Sequence, residues 1–366
     1  MLDTSAAGAF NAGRTQAMQG DRSARARLAI GILLAALLVT ILLSLTSGAS
    51  DASAWAVLRD WLSGIEAGAL SERDRIIIYD IRMPRVAMGM LVGAALAVAG
   101  AIMQGLFRNP LADPGLIGVS AGSALAAVAM IVLGASFLAP VASWLGIYAL
   151  PIAAFAGGLV STLVLYRIST RRGQTSVATM LLAGIALAAL AGALMGLLIF
   201  IADDRQLRDL TFWQLGSLAG ATWVKVAAIG PIIALALAAA PFLARGLNAL
   251  ALGEATANHL GIPVQRFKYV AIVSVAAATG ASVAVSGGIG FVGIVVPHML
   301  RLAIGPDNRY LLPASALLGA SLLLLADAVS RTIVAPAELP IGIVTAAAGA
   351  PFFLWILLRK RGVLDL

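Results

Sequence analysis

The stretch from Arg82 to Ser123 carries its charge at only a few positions. Arg82 and Arg85 flank a Met-Pro pair, an uncharged run follows to Phe107, and the polar turn 108–114 precedes a second uncharged run. Charged side chains are costly in hydrocarbon and are tolerated mainly at the ends of membrane spans. The pattern therefore predicts a membrane hairpin, and it restricts the chain to folds in which helices cross a bilayer.

Composition extends this conclusion to the whole chain. Hydrophobic residues make up 61% of the sequence and charged residues 11%, whereas a water-soluble domain carries roughly 25% charged residues. The absence of cysteine excludes disulfides, thiolate metal sites and cysteine nucleophiles. The net charge of +8 is spread between apolar runs without interleaved aromatic clusters, so it indicates membrane topology rather than nucleic-acid binding.

Ten apolar segments predict an all-α polytopic membrane protein. They lie near 28–47, 84–106, 116–135, 145–166, 177–201, 222–243, 268–285, 289–301, 311–331 and 340–358. All but one are close to the length of about 20 residues that a spanning helix needs. The segment 289–301 is too short to span, and we predict a half-buried or broken helix there.

The ends of the chain complete the predicted organisation. We expect residues 1–27 to form a flexible cytoplasmic tail, residues 28–360 the transmembrane domain, and residues 361–366 a second cytoplasmic tail. The run 28–47 follows arginines as a signal peptide does, but it is long and further spans follow, which favours a retained helix. Most Lys and Arg residues lie on the side of the two tails, which predicts that both termini are cytoplasmic.

Small residues recur at every fourth position in two of the predicted helices. The first ridge is Gly89, Gly93, Ala97, Ala101 and Gly105, and the second is Gly184, Ala188, Gly192 and Gly196. Such ridges let helix backbones approach closely. Two interpretations stay open for each ridge, namely close helix packing and a wall that faces a translocation path.

Catalytic chemistry is not expected from this chain. It contains no phosphate-binding loop of the form GxxxxGK[ST] and no arrangement of Ser, His and Asp that suggests nucleophilic catalysis. The two histidines, His259 and His298, both fall at the predicted cytoplasmic side. We therefore expect a protein that is not an enzyme.

Five ordered motifs resemble one known family. They are R-x-P-R at Arg82–Arg85, the turn Arg108–Pro114, the run Ser286–His298, the triplet Leu325–Asp327, and Glu338–Gly342 followed by Gly349–Phe353. Over about residues 28–360 the chain resembles the FecCD-like permease subunits of type II ABC importers for iron chelates, haem and vitamin B12. The resemblance implies the type II permease fold of ten helices, a homodimer with its pathway on the two-fold axis, and a bacterial inner membrane.

The resemblance also implies a docking site for a periplasmic substrate-binding protein. In the family, arginines of the permease pair with acidic residues of that protein, and the matching positions here are Arg82, Arg85 and Arg331. Guanidinium groups suit this task because they pair with carboxylates at two points. The alternative is that these arginines are interface anchors, with Asp327 and Arg331 paired at i,i+4 spacing.

Two further cytoplasmic sites follow from the resemblance. The loop of about 250–264 matches the coupling helix that fits a cleft of the ATPase subunit, with the residues Gly253, Glu254, Ala257, Asn258, His259, Leu260 and Gly261. Thr175 and Ser176 match a cytoplasmic gate, although a plain helix N-cap explains them equally well. The implied partners are two ATP-binding subunits that hold ATP and Mg, and no cofactor or metal is expected on this chain.

The cargo is predicted less directly. The segment 202–218 resembles the haem-importing branch more than the cobalamin or ferric-siderophore branches, so we favour haem over those two alternatives. Met88, Met90, Met103, Met180 and Met195 could line a path but fit adaptable packing better. The rival classes are a scaffold protein and an ion-coupled secondary transporter, which usually needs ionisable residues within the bilayer, whereas Asp327 and Lys225 lie near span ends.

Overall fold

The computed structural model describes residues 22–47, 71–171 and 174–359 as a helical bundle. Its helices are α1 Ser23–Thr46, α2 Glu72–Leu106, α3 Val119–Leu133, α4 Ala139–Leu145, α5 Ala149–Ser169, α6 Val177–Ile201, α7 Asp204–Leu215, α8 Trp223–Ala251, α9 Glu254–His259, α10 Val264–Ser286, α11 Val292–Ile304, α12 Asn308–Thr332 and α13 Ile341–Arg359. Helix α2 contains a π-helical segment, Ile76–Arg82. The strands β1 Thr170–Arg171 and β2 Gln174–Thr175 form a short antiparallel hairpin.

All ten predicted apolar segments are helical. By length and composition, seven helices of the described residues could cross a membrane, and three shorter apolar helices, Val119–Leu133, Val292–Ile304 and Ile341–Trp355, accompany them. The polytopic all-α prediction is therefore confirmed. Helix α1 begins at Ser23, within the expected tail of residues 1–27. Residues 1–21 and 361–366 lie outside the described part.

The expected span 116–135 is shorter than predicted. Residues Pro114–Ile117 form a 3-10 turn, and Gly118 has a φ of 75°, so the α-helix starts only at Val119. Fifteen residues rise about 22 Å, less than the hydrocarbon core of about 30 Å. The prediction of a short, interrupted segment at 289–301 is confirmed, because helix α11 follows the non-helical stretch 287–291.

Helix α2 forms the centre of the bundle, and its small residues serve packing. A Cβ atom added to Gly93 would collide with the backbone of Gly319 in α12, and one added to Gly100 would collide with the backbone of Gly293 in α11. Only glycine permits these two backbone contacts. For the first ridge, the packing interpretation is therefore confirmed.

Helix α6 differs, because it lies largely uncovered along the bundle. In its most apolar window only 11% of the residues are buried, and a Cβ atom at Gly192 or Gly196 would meet nothing within 4 Å. Gly184 is buried, whereas Gly192 and Gly196 face open space, so the second half of this ridge does not mediate close packing among the described residues.

The bundle has two ends, which we define by α1. At the proximal end, where α1 begins, Arg22 lies near Gly305 and Asn248 bonds to Asp307. At the distal end, where α1 finishes, Arg82 and Arg331 contact its last turn.

Candidate functional site

Three arginines gather at the distal end, as the sequence predicts for a shared site. Arg85 bonds to both carboxylate oxygens of Glu338, with Nη1–Oε1 and Nη2–Oε2 distances of 2.9 Å. Its Nε also donates to Asp327 Oδ1 at 3.0 Å. Asp327 Oδ2 in turn accepts from Arg331 Nε at 3.0 Å, which is the i,i+4 pair raised as an alternative. Two carboxylates therefore hold two of the three guanidinium groups.

Arg82 and Arg331 also satisfy the carbonyl end of α1. Arg82 Nη1 donates to the Leu45 carbonyl oxygen at 2.6 Å, and Arg331 Nη1 donates to that of Ser47 at 2.9 Å. Arg331 Nη2 reaches the carbonyl oxygen of Ser44 at 3.1 Å. The last carbonyls of a helix lack internal donors and carry partial negative charge, so cations are favourable there.

These contacts show where the predicted docking residues lie. Arg82, Arg85 and Arg331 are 4–6% exposed, and each bonds to other parts of this chain, whereas the Glu338 side chain is 40% exposed. The anchoring alternative is therefore correct for the chain on its own. Docking through these arginines stays a prediction, and the accessible carboxylate beside them was not predicted.

The predicted coupling segment forms a short exposed helix at the proximal end. Helix α9 runs from Glu254 to His259 between Gly253 at φ 103° and Gly261 at φ 80°. Positive φ angles favour glycine, so these two residues define where the helix starts and stops. Asn258, His259 and Leu260 are exposed and Ala257 is fully buried. The helix therefore protrudes from the bundle and is held in place by its buried residue Ala257.

The predicted gate residues lie in the β1–β2 hairpin and the start of α6. The Ser176 side chain accepts a hydrogen bond from the Thr179 amide, so its N-cap role is confirmed. Thr175 is buried, and its hydroxyl lies 3.0 Å from that of Thr170 across the hairpin. A gating role for either residue stays a prediction.

One connection between these two sites was missed at the sequence level. Lys268 of α10 is 2% exposed, and its Nζ donates to Glu254 Oε1 at 2.7 Å and to the Thr175 carbonyl oxygen at 2.9 Å. The sequence signal was a lysine in the first turns of an apolar helix. A lysine side chain is costly to bury unless it is paired with an opposite charge or hydrogen-bonded.

An interior cleft of about 320 Å³ lies between α2, α3, α6, α7, α10 and the loop before α11. Asp113, Trp213, Gln214 and Thr279 contribute its polar groups. Asp113 Oδ1 accepts from the Gly115 amide at 2.8 Å, and burial raises the pKa of the Asp113 carboxyl. The polar turn 108–114 connects two helices, and its Asp113 end also packs into the bundle beside Gly293.

Metal binding is not indicated in the described ranges. Within residues 22–47, 71–171 and 174–359 no group of three or more His, Cys, Asp or Glu side chains could hold an ion. Of the candidate methionines, Met88, Met103 and Met180 are core residues, which confirms their packing role, whereas Met195 borders the cleft.

Comparisons with known proteins agree with this arrangement. The sequence model of the FecCD transport family matches residues 36–359. The hemin transport system permease protein HmuU of Yersinia pestis is 48% identical over 285 residues, 78% of this chain and 84% of that protein. The vitamin B12 import system permease protein BtuC of Salmonella paratyphi A is 42% identical over 346 residues, 93% and 97% of the two chains.

A solved structure supports the same fold. The inward-facing conformation of a metal-chelate type ABC transporter superposes with a TM-score of 0.78 and 30% identity, covering 90% of this chain and 98% of that one. The described helices therefore have the fold of this ABC transporter permease.

Proposed function

Because this chain belongs to the FecCD transport family of ABC importer permeases, we propose that it carries haem, or a related iron chelate, from periplasm to cytoplasm. The observation that carries the choice of cargo is its 48% identity to the hemin permease of Yersinia pestis, against 42% to the vitamin B12 permease. Ferric-siderophore and cobalamin transport are the alternatives within the family.

We place the proximal end of the bundle in the cytoplasm and the protein in the bacterial inner membrane. Basic residues support this orientation, since Arg22, Arg25, Arg27, Arg108 and Arg167 all lie in or beside proximal loops. Cytoplasmic loops carry an excess of Lys and Arg. Both termini are then cytoplasmic.

The uncovered face of α6 supports a pathway shared by two copies of the chain. At Gly192 and Gly196 of its second ridge, open space lies above the helix in the described residues. The face is also uncharged along Val177–Ile201. A broad apolar macrocycle fits such a wall, because no fixed charge holds it in place.

At the distal end we propose docking of a periplasmic substrate-binding protein on the arginine cluster. Arg82, Arg85 and Arg331 gather there, and the accessible carboxylate of Glu338 already pairs with Arg85. Guanidinium groups pair with carboxylates at two points, which suits an acidic surface on the partner protein. The cargo would then be delivered beside α7 and the cleft.

At the proximal end we propose that α9 seats in the ATPase subunits, which bind ATP and Mg. Its exposed Asn258, His259 and Leu260 suit a docking knob, and a rigid element is needed to transmit a lever movement. Deleting residues 254–260 should leave ATP hydrolysis uncoupled from uptake. Unchanged uptake in that variant contradicts the coupling role.

Competition of labelled uptake tests the cargo directly. Proteoliposomes holding two copies of this chain, the ATPase subunits and the binding protein should accumulate haem only with ATP, and excess unlabelled haem should abolish the signal. Excess cobalamin or ferric siderophore should leave it unchanged. Stronger competition by cobalamin overturns the haem proposal, and uptake driven by an ion gradient without ATP overturns the ABC mechanism.

A further inference from the structure

The predicted gate and the predicted coupling helix meet at one side chain. Lys268 reaches across from α10, and its ammonium group lies 2.7 Å from Glu254 Oε1 at the start of α9. The same group lies 2.9 Å from the carbonyl oxygen of Thr175 in β2. One nitrogen therefore bonds to two elements that lie 79 positions apart in the sequence numbering.

A second side chain of α10 completes the attachment of β2. Gln265 stands three residues before Lys268 and so projects from the same side of the helix. Its Oε1 accepts a hydrogen bond from the Thr175 amide at 2.9 Å. Both backbone polar groups of Thr175 are thus bound by side chains of α10, and β2 is fixed to that helix on both sides.

The burial of the Lys268 ammonium makes separation of this contact unfavourable. The Lys268 side chain is 3% exposed and that of Glu254 is 43% exposed, so the ammonium is buried and the carboxylate faces water. A buried charge that loses its partner is strongly unfavourable. When α9 is displaced, moving Lys268 and β2 together with α9 is therefore less costly than separating Lys268 from Glu254.

We propose that Lys268 is the positioning residue that ties the gate hairpin to the coupling helix, so that movement of α9 reaches Thr175 directly. The inference rests on the proposed function, which supplies the ATPase that moves α9. Lys268 touches neither nucleotide nor cargo in this scheme. It converts displacement at Glu254 into displacement of β2.

The test replaces Lys268 by Gln and compares it with Arg266→Gln, which removes one exposed charge from the same turn. In the reconstituted full complex we expect K268Q to keep its ATP hydrolysis while cargo uptake per ATP falls about tenfold. R266Q should match the unsubstituted chain in both assays. Equal uptake per ATP in K268Q and the unsubstituted chain overturns the proposal, as does a proportional fall in both activities.

A distance measurement separates this role from a purely structural one. The chain has no cysteine, so Gln174→Cys, on the exposed part of the hairpin, places one spin label per copy. Adding ATP should change the distance between the two labels in the parent complex and leave it unchanged with K268Q. An identical nucleotide-dependent change in both complexes overturns the proposal.

A milder variant covers the case in which K268Q does not assemble. Glu254→Gln removes only the half-exposed end of the link, and we expect it to lower uptake per ATP in the same direction. In an assembling double variant, E254Q adds nothing to K268Q, because both cut one link; additive losses overturn the inference. If the parent complex shows no ATP-dependent uptake of any chelate, the proposed function fails, while the label distances still report on the link.

Discussion

Arg85 and Glu338 form a two-point ion pair that joins positions 253 residues apart. The pair connects the start of α2 to the loop that leads into α13. Glu338 is the accessible partner, because its side chain is 40% exposed. In the proposed docking, a carboxylate of the binding protein competes with Glu338 for Arg85.

Replacing Arg85 by Gln should destabilise the bundle. The change removes the ion pairs of Arg85 with Glu338 and Asp327 and leaves Asp327 paired with Arg331. Breaking a buried pair costs about 3–5 kcal/mol. Thermal unfolding in nanodiscs should show a lower midpoint. Arg205→Gln, at an exposed position of α7, is the control, and equal midpoints for both variants contradict the prediction.

Replacing Glu338 by Gln should strengthen docking of the binding protein. The amide is uncharged, so it no longer neutralises the positive charge of Arg85. We expect the affinity for a partner carboxylate to rise by about 2- to 10-fold. Titration of the labelled binding protein onto the nanodisc-held dimer measures it. Asp209→Asn removes an exposed carboxylate from α7 and should change affinity less; weaker binding by E338Q than by the parent contradicts this view.

Substitutions at Gly93 and Gly192 test the packing role of the first ridge and the pathway role of the second. Gly93→Val should prevent normal assembly, since the Gly319 backbone occupies the space that the new side chain needs, and overpacking costs about 1–3 kcal/mol or more. Gly192→Val enters open space and should leave the midpoint of unfolding unchanged while lowering cargo uptake. A stable G93V dimer, or a G192V dimer with full uptake, contradicts the corresponding assignment.

Asp113 should make stability depend on pH. Burial raises its pKa above the ordinary value of 3.8, so between pH 3.8 and the raised pKa the folded chain binds more protons than the unfolded chain. Its contribution therefore falls as pH rises from 3.8 through the raised pKa. Asp113→Asn keeps the oxygen that caps Gly115 and loses this dependence.

The expected result is that D113N unfolds at a higher temperature than the parent chain at neutral pH, with the difference shrinking toward acid. Unfolding midpoints across about pH 4 to 8 measure it. Asp204→Asn changes an exposed carboxylate and should leave the profile unaltered. If D113N and the parent chain have the same unfolding midpoint at every pH, Asp113 does not contribute to the pH dependence of stability.

The sequence predicts the helices well because the bilayer restricts charge so strictly. All ten apolar segments form helices. Gly253 and Gly261 mark the two ends of α9, because their positive φ angles limit where a helix can continue. Local rules of this kind need no knowledge of distant residues.

The contacts that the sequence did not reveal are those between distant elements. Nothing local to Lys268 indicates that Glu254 and Thr175 flank it, and nothing local to Asp113 indicates that its turn packs beside Gly293. Arg82, Arg85 and Arg331 gather at one end of the bundle as the sequence predicts, but the partners of Arg82 and Arg331 at the end of α1 emerge only when α2 and α12 are assembled.

The capping of α1 has a consequence for biosynthesis. The carbonyl groups of Ser44 and Ser47 find their donor in Arg331, which is made more than 280 residues later. The first helix therefore leaves the ribosome long before Arg331 is made to complete its distal end. Release of nascent chains before α12 should leave α1 accessible to crosslinkers that no longer reach it in the finished protein.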